Sequence, residues 1–334
     1  MLRILLFLLL ALPLRSLMAQ DGAYAEPVSE NIYLVPLSGC NAAFYVGEDG
    51  VYVVDAGMTP DEGRQLIEAV RSVTEKPLLY LILTHYHFDH VGGVQVFPDE
   101  TKIVAHQNFT SAVSKDGGKL LKGFIEEMEA QYVIYEAQIS ERTKVLESAG
   151  RYGAADSLKQ QLAGYRAFID SSRAVKKVKP DVVFDKNLIL KSGKEKIELR
   201  YAGSAHSGCD LIVIFPGGEV IHVGDLNFGR SFPFLDRSSG GSIYGWIKAL
   251  DEISAMKEVT TVLSGHDAPG NLGSLQEMKT LLNDMLDAVN SAVFKQLSLE
   301  ETLRTVTLEK YSAYPGRDLL EKDIRAIYEE LTGK

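Results

Sequence analysis

The segment HYHFDH, residues 85–90, gathers three of the chain's seven histidines and one aspartate within six positions. Imidazoles that are mostly neutral at physiological pH, together with carboxylates, are good ligands for a borderline metal such as zinc. A single histidine after a strand is usually an ordinary loop residue, and two histidines at i and i+2 are a weak signal. The density of ligand-forming side chains here favours a metal site over chance placement.

Three further titratable residues follow apolar, strand-like runs elsewhere in the chain. His206 follows LRYAGSA, Asp225 follows EVIHVG and His266 follows TTVLSG, while HYHFDH itself follows LLYLILT. If these strands lie side by side, their ends meet at one edge, where proteins commonly place functional groups on loops. The pattern predicts that five histidines and two aspartates come together there: His85, His87, Asp89, His90, His206, Asp225 and His266.

The first third of the chain mixes strands and helices. The runs NIYLVPL, AAFYVG and VYVVDAG, separated by turn residues, predict strands in a meander. A helix is predicted to begin at the Thr59-Pro60 pair, with proline at its first position. Its apolar face would hold Leu66, Ile67, Val70 and Val73. LLYLIL and TKIVAH predict two more strands, so the metal-ligand motif lies on a loop that leaves a buried strand.

A change in composition and periodicity from about residue 107 to residue 179 predicts a helical insertion. This segment is long and charged, and its apolar residues repeat at helical spacing. Glycines at residues 150–153 divide it into an antiparallel pair of helices, which could be a lid, a dimer surface or a spacer. Strand-like runs return after residue 180, and the tail is mostly helical. We therefore expect residues 26–334 to form a single α/β (α+β) domain that carries the helical hairpin.

Residues 1–25 predict a signal peptide. Arg3 precedes the apolar run ILLFLLLALPL, which is too short to span a bilayer as a helix but suits the core of an export signal. Cleavage after Ala19 or after Ala25 fits the preference for small residues. A short membrane anchor or a buried N-terminal helix is the alternative. We expect an exported protein, periplasmic or secreted, with no stable membrane insertion after the signal is removed.

Composition limits the classes of partner. The 334 residues are 46% hydrophobic and 24% charged, as expected for a globular protein with a real core. The net charge of −10 repels phosphate backbones, so we expect a small-molecule substrate and no nucleic acid, with the oligomeric state left open. Cys40 and Cys209 are too few for a disulfide framework. We predict two separate buried thiols, although an exported protein could join them.

Five motifs of the sequence resemble those of the metallo-β-lactamase superfamily. HYHFDH matches the H-x-H-x-D-H signature of that family, and the flanking Thr84 and the VGG that follows also match. VVDAG around Asp55 resembles its first motif, and AHSGCD around His206 resembles its H-[ST]-x-x-D/N element. VGDLNF around Asp225 resembles the fourth motif, and SGHD around His266 resembles the fifth. The resemblance covers about residues 30–105 and 180–334, and the helical insertion falls outside it.

This resemblance implies a four-layer αββα sandwich with two metal ions at one edge. Carried over by position, the first metal would be held by His85, His87 and His206. The second would be held by Asp89, His90 and His266, and Asp225 would bridge both. Such ligands imply two Zn²⁺ per chain, with iron or manganese as alternatives because Asp225 adds a hard oxygen ligand. Asp55 is expected to orient a ligand rather than to take part in catalysis.

The chemistry implied is hydrolysis. Two cations stabilise a hydroxide near neutral pH, and a metal-bound hydroxide can attack a carbonyl, phosphorus or sulfur centre. Asp89 is assigned a catalytic role, because it can bind metal and also orient the nucleophile through its free oxygen. The expected function is therefore that of an exported dizinc hydrolase of a small ester, lactone, amide or thioester.

Three other functions remain open at the level of sequence. Antibiotic-hydrolysing relatives with cysteine in the fourth motif commonly carry a lysine three positions later, whereas this chain has Asp225 and Phe228. Both departures argue against β-lactamase activity without excluding it. A mononuclear-iron persulfide dioxygenase would share the HYHFDH signature. A non-catalytic binding protein would use the helical pair as an interaction arm, but degenerate members of the family usually lose ligands.

For several other residues, a functional role and a structural role both explain the sequence. Arg230 and Arg237 flank FPFLD and could bind an anion, or could be solvated loop residues. Phe232, Phe234 and Trp246 could line an apolar pocket, although helix packing explains Trp246 equally well. We expect His106 to be structural or to support a ligand, and His222 to be a buried core residue.

Overall fold

The structure is a computed structural model that describes residues 23–333, apart from the side chains at positions 116 and 117. Residues 1–22, which hold most of the predicted signal peptide at 1–25, lie outside the described residues. Within residues 23–333, no helix has the length and the apolar character needed to cross a membrane.

Within the described part of the chain, seven strands form the first sheet, and their spatial order follows the chain. They are β1 Glu26–Ser29, β2 Ile32–Pro36, β3 Asn41–Val46, β4 Val51–Val54, β5 Leu78–Ile82, β6 Lys102–His106 and β7 Val182–Phe184. Strands β1 to β4 form the predicted antiparallel meander. Strands β4 to β7 are parallel, so the carboxyl ends of these four strands lie at the same edge of the sheet.

Five strands of residues 23–333 form the second sheet, in the order β12-β11-β10-β9-β8. They are β8 Asn187–Ser192, β9 Glu195–Tyr201, β10 Leu211–Ile214, β11 Val220–His222 and β12 Thr261–Leu263. Strands β11 and β12 are parallel, and the other pairs are antiparallel. Strands β9, β11 and β12 therefore run in the same direction. The turn between β10 and β11 uses Gly217 and Gly218, whose φ angles of 91° and 81° favour glycine.

The α-helices of the described residues lie mainly on the outer faces of the two sheets. They are α1 Pro60–Val73, α2 Phe88–Val91, α3 Phe109–Ala112, α4 Gly118–Ser148, α5 Tyr152–Arg173, α6 Ile243–Ser254, α7 Leu272–Phe294, α8 Leu299–Thr305 and α9 Leu319–Thr332. Helix α1 packs on the first sheet. Helices α6, α7 and α9 pack on the second sheet.

A third apolar core lies between the two sheets. It includes Tyr52 and Ile82 from the first sheet and Leu199 and Val213 from the second, all of them buried. Strands that are apolar on both faces, such as β4, need a cover on each side, since every exposed apolar surface costs free energy. Helix, sheet, sheet and helix therefore stack in four layers, which confirms the predicted αββα sandwich.

Helix α1 begins as the sequence predicted. The side chain of Thr59 accepts a hydrogen bond from the Glu62 backbone amide at 3.2 Å, and proline occupies the first helical position. Leu66 and Val70 are buried on the predicted face. Val73 was also predicted there but is 37% exposed, because it is the last residue of the helix and the underlying sheet no longer covers it.

The helical insertion connects two neighbouring parallel strands, β6 and β7. Its main helices, α4 and α5, are joined by residues 149–151 and run antiparallel. Lys159 Nζ donates to Glu147 Oε1 at 2.8 Å near the connection, and Arg173 pairs with Glu129 towards the other end. The insertion is thus a crossover connection that carries the predicted helical hairpin.

Asp323 is an ionisable residue in the core between α9 and the loop that precedes α6. Its side chain is fully buried, and Asp323 Oδ1 accepts a hydrogen bond from the Leu235 backbone amide at 2.8 Å. Asp323 Oδ2 has no hydrogen-bond partner among the described residues. Burial therefore raises the pKa of this carboxyl well above its usual range.

The Asp323→Asn variant is expected to gain stability relative to the wild type as pH rises from about 5 to 7. Unfolded aspartate releases its proton near pH 4, whereas the folded carboxyl retains it. The free energy of unfolding of the wild type therefore falls with rising pH through this residue, by up to about 1.4 kcal/mol per pH unit. The amide retains the acceptor for Leu235 and does not titrate. Urea denaturation of both proteins across this range measures the difference, and a difference independent of pH contradicts the argument.

Candidate metal centre

The seven predicted ligands all lie at one edge of the sandwich, beyond the carboxyl ends of strands. Residues 85–90 follow β5 and include the first three residues of the one-turn helix α2. The other three each follow a strand of the second sheet, namely His206 after β9, Asp225 after β11 and His266 after β12. The structure therefore brings together, from four separate segments, the residues that the sequence pattern placed at strand ends.

The first donor group consists of His85, His87, His206 and Asp225, all of them buried. His87 Nδ1 lies 3.0 Å from His85 Nε2 and 3.0 Å from His206 Nε2. Asp225 Oδ2 lies 3.8 Å from the Nε2 atoms of His85 and His206. Ligands about 2.0 Å from a tetrahedral zinc ion stand roughly 3.3 Å apart, so these separations suit a single ion.

The outer nitrogen of each imidazole in this group is held by an acceptor. The hydrogen bonds are His206 Nδ1 to Phe234 O (2.6 Å), His87 Nε2 to Asp236 Oδ2 (3.1 Å) and His85 Nδ1 to Thr84 Oγ1 (3.1 Å). Thr84 can accept because its own hydroxyl donates to Asp55. These bonds assign the ring protons to the outer nitrogens, so three lone pairs converge inside the group. Lone pairs this close repel each other unless a cation lies between them.

The second donor group consists of Asp89, His90, His266 and again Asp225. His266 Nε2 lies 3.1 Å from both Asp89 Oδ2 and Asp225 Oδ2. His90 Nε2 lies 3.2 Å from Asp225 Oδ1. His90 Nε2 and Asp225 Oδ1 are buried without a hydrogen-bond partner in the described part of the chain. Because buried polar atoms nearly always have a partner, the two atoms are suited to binding a metal ion between them.

The chemistry of both donor groups fits divalent metal ions. The first offers three imidazole nitrogens and a carboxylate oxygen, and the second offers two of each kind. Nitrogen and oxygen donors of this kind bind first-row divalent metals, including zinc, iron and manganese. Asp225 belongs to both groups and would lie between two ions.

Burial and charge act in opposite directions on these residues. Burial lowers the pKa of His206 to about 4 and lowers the pKa of His85 well below its usual range. Burial acts to raise the pKa of Asp225, but the positive charge of His266 contributes most to holding it well below its usual range. Burial acts to lower the pKa of His266, but Asp225 raises it to about 9. The carboxylates thus attract positive charge to this place, and a bound cation would displace the protons.

Asp55 supports the second donor group from behind. Asp55 Oδ2 accepts hydrogen bonds from His90 Nδ1 and Thr84 Oγ1, both at 2.8 Å, and Asp55 Oδ1 accepts from the Thr84 amide at 2.8 Å. Its backbone φ is +62°, in the left-handed region that aspartate tolerates better than most residues. The contacts agree with the orienting role predicted from the sequence, because they fix the ring of His90 with Nε2 facing inwards.

Asp236 supports His87 in the same way, although no sequence pattern predicted this role for Asp236. Asp236 Oδ2 accepts from Tyr86 OH at 2.6 Å and from His87 Nε2 at 3.1 Å, while Asp236 Oδ1 accepts from Ser238 Oγ at 2.6 Å. Burial acts to raise the pKa of this carboxyl, but the hydrogen bond from His87 contributes most to holding it below its usual range. Asp236 ends the FPFLD run in an irregular loop, where no period or spacing points to it.

A cavity of about 680 Å³ opens onto both donor groups. His87, Asp89, His206, Asp225 and His266 all contribute to its lining. This volume falls within the range of pockets that bind small molecules. The ligand-forming side chains therefore face a chamber in which a small substrate could contact them.

The anion site considered for Arg230 and Arg237 is not formed. Arg230 Nε donates to Glu277 Oε2 at 3.0 Å on the surface, and Arg237 Nη1 donates to the Gly241 carbonyl at 3.0 Å. Neither arginine lines the cavity. Both side chains find partners within their own loops and on neighbouring helices, which explains why FPFLD does not present them to a substrate.

Of the aromatic residues considered for a pocket, only Phe234 lines the cavity. Phe232 and Trp246 are buried in the core between the second sheet and its helices. Trp246 Nε1 donates to the Leu226 carbonyl at 3.0 Å, so its polar atom is satisfied inside the core. Helix packing therefore explains Trp246.

The other histidines and the cysteines have structural roles. His106 stacks on Tyr201 with ring centroids 3.7 Å apart, and its Nε2 bonds to a backbone carbonyl. His222 is fully buried in β11, and its Nδ1 accepts from a backbone amide at 3.1 Å. Cys40 and Cys209 are both buried and form no disulfide, as predicted.

Comparisons with known proteins agree with this site and fold. A family model described as the Metallo-beta-lactamase superfamily matches residues 35–266. The linear primary-alkylsulfatase of Pseudomonas sp. (strain ATCC 19151) is 19% identical over 303 residues, which cover 85% of this chain and 54% of that protein. The 2,4-dinitroanisole O-demethylase subunit alpha of Nocardioides sp. (strain JS1661) is 30% identical over 92 residues, which cover 27% of this chain and 28% of that subunit.

Solved structures share the fold. The inverting sec-alkylsulfatase Pisa1 from Pseudomonas sp. superposes with a TM-score of 0.67 at 16% identity, over 93% of this chain and 50% of that one. The metallo-beta-lactamase from Pontibacter korlensis gives a TM-score of 0.55 at 14% identity, over 78% of this chain and 99% of that one. The chain thus spans about half the length of the alkylsulfatases. Because the family model matches more than half of the chain, the protein belongs to the Metallo-beta-lactamase superfamily, as the motifs predicted.

Proposed function

We propose that this protein is an exported metal-dependent hydrolase that holds two zinc ions and cleaves a small ester, lactone, amide or thioester. The observation that carries the proposal is the sharing of Asp225 by two complete donor groups at the floor of one cavity. Membership of the superfamily supports hydrolysis as the class of reaction. The chain offers its ligands on rigid strand ends, which suits a preorganised site.

Different residues of the chain would have different roles in such a reaction. When bound, two divalent ions would supply Lewis acidity and lower the pKa of water to near neutrality. The imidazoles would hold the first ion in a fixed place, because their outer N–H groups are tied to acceptors. Asp89 is the most exposed carboxylate of the two groups, at 17% against 3% for Asp225. We assign it the orientation of the attacking water by accepting a hydrogen bond.

The choice of zinc rests on the donor set. The first group provides three histidine nitrogens, and three protein nitrogens with one further ligand are typical of zinc sites. The carboxylates of the second group also suit iron or manganese. The presence of both groups supports two ions and argues against a mononuclear-iron persulfide dioxygenase, which needs only one.

The remaining alternatives receive less support. At the position where antibiotic-hydrolysing relatives carry lysine, Phe228 stacks on His266 with ring centroids 5.4 Å apart. That contact offers no charge for a drug carboxylate, which argues against a β-lactamase. A non-catalytic binding protein would have no reason to retain seven converging ligands. Alkyl sulfate hydrolysis is suggested by the names of the alkylsulfatase relatives and belongs in any substrate panel.

Export rests on the apolar run ILLFLLLALPL near the N-terminus. Ala23 and Ala25 pack against the apolar core of the first sheet, which supports cleavage after Ala19 over cleavage after Ala25. N-terminal sequencing of the exported protein would then begin at Gln20. The net charge of −10 supports a small-molecule substrate over nucleic acid.

Removal of metal is expected to abolish hydrolysis, and zinc is expected to restore it. The purified protein is treated with a chelator, dialysed, and assayed with esters, lactones, amides, thioesters, a cephalosporin and an alkyl sulfate. Reloading with about two equivalents of zinc should recover activity, because each donor group holds one ion. Elemental analysis of the untreated protein measures the metal and its stoichiometry.

The outcomes distinguish the alternatives. One iron per chain with oxygen uptake and no hydrolysis would replace the proposal with the persulfide dioxygenase. Activity that is indifferent to chelators, in a protein free of metal, would remove the proposal altogether. The wild type without chelator, dialysed in parallel, controls for losses that are unrelated to metal.

A further inference from the structure

The cavity above the donor groups has apolar walls. Apart from the metal ligands, its lining includes Leu34, Leu37, Met58, Phe88, Phe228 and Phe234. These side chains come from β2, from the loops after β2, β4 and β11, and from α2. Apolar lining of this kind binds apolar parts of a ligand by removing both surfaces from water.

The helical insertion completes one wall of this cavity. Leu120 and Phe124, on the first turns of α4, both line it. Phe124 packs against Phe88 with ring centroids 4.9 Å apart, and Phe88 immediately precedes Asp89. Phe124 is 2% exposed and belongs to a small apolar cluster with Met58. The insertion therefore reaches to within one side chain of the second donor group.

No lysine or arginine lines the cavity within residues 23–333. Besides its histidines, the charged residues of the lining are acidic: Glu26, Asp89, Asp225 and Asp267. Since Arg230 and Arg237 are engaged elsewhere, a negatively charged substrate group away from the metal ions would find no lysine or arginine to pair with. Burial of such a group without a partner costs far more than burial of an apolar chain.

We propose that the substrate of this site carries an extended apolar chain, and that Leu120 and Phe124 select that chain. The proposal rests on the proposed hydrolase function, because it describes the substrate of the same site. The insertion thereby acquires a role in substrate selection rather than that of a spacer.

Ligand binding to the zinc-loaded protein tests the proposal separately from catalysis. The fluorescent dye N-phenyl-1-naphthylamine is displaced by 1-butanol, 1-hexanol, 1-octanol and 1-decanol. Affinity for the alcohols is expected to rise about fourfold per added methylene, because each buried methylene contributes a nearly constant free energy.

Two variants assign the selection to the insertion. Phe124→Ala is expected to lower the affinity for 1-decanol at least about tenfold, because a buried aromatic contact is lost. Leu120→Gln alters a half-buried side chain that also lines the cavity and should flatten the dependence on chain length. The matched control is Phe168→Ala, because Phe168 packs against Phe124 from α5 but does not line the cavity.

The results decide the proposal whether or not hydrolysis is found. Affinity independent of chain length, or equal effects of Phe168→Ala and Phe124→Ala, would each overturn it. Failure of the hydrolase proposal shows differently, as absence of turnover for every ester, lactone, amide and thioester in a protein that still binds 1-decanol.

Discussion

The Asp225→Ala variant should lose hydrolytic activity by about a thousandfold or more and should bind neither metal ion with wild-type affinity. Asp225 is the one residue common to both donor groups, with oxygens 3.2 Å from His90 Nε2 and 3.1 Å from His266 Nε2. Its loss removes a ligand from each ion and leaves buried imidazoles without the carboxylate that attracts positive charge to them. Stabilisation by a metal ion is worth several kcal/mol in the transition state, and 1.36 kcal/mol is a factor of ten.

Elemental analysis and kcat/KM with the best ester from the substrate panel measure this loss. Asp251→Ala is the matched control, since it removes the same side chain from the surface of α6, where Asp251 pairs with Lys279. The control should retain activity and two ions. An Asp225→Ala protein that still holds two ions and hydrolyses normally would show that the two groups do not meet around this carboxylate.

The Asp236→Asn variant should lose about ten- to a hundredfold in zinc affinity at the first donor group. Asp236 accepts two hydrogen bonds at each carboxylate oxygen, and one of the donors is His87 Nε2. Asparagine replaces one oxygen with an amide donor, so at least one of those bonds is lost and His87 can turn or change tautomer. Residues that orient metal ligands typically affect affinity by this amount when changed.

Competition with a zinc chelator measures the affinity, and ¹⁵N shifts of the His87 ring report its tautomer in the metal-free protein. Tyr86→Phe is the control, because it removes the other donor to Asp236 Oδ2 and leaves the bond from His87 in place. The control is expected to alter affinity less than Asp236→Asn. Unchanged affinity together with an unchanged tautomer in Asp236→Asn would show that other contacts hold His87.

The sequence predicted which residues meet at this edge, because they follow strands that can be recognised locally. The run before His85 is continuously apolar, and the runs before Asp225 and His266 are rich in β-branched residues, so each ligand could be placed at a strand end. The order of the strands in each sheet then brings these strand ends to one edge. Asp236 has no such signal, since its relation to His87 depends on a loop that turns back across the sheet edge.

The placement of the helical insertion could be predicted only in part. Periodicity indicated the two helices and their antiparallel arrangement. It could not show that β6 and β7, on either side of the insertion, are neighbours in one sheet, because parallel pairing joins residues far apart in sequence. Nor could it show that Phe124 reaches Phe88, a contact that depends on how the hairpin packs against the loop that holds residues 85–90.

The crossover position of the insertion has a consequence for how the protein can evolve. Both ends of the hairpin are anchored in adjacent parallel strands, and every residue of the two donor groups comes from outside residues 107–179. Surface connections accept changes in length and composition more readily than the elements that they join. A lineage can therefore explore new substrates by altering this one stretch of its gene, while the reactive machinery is inherited unchanged.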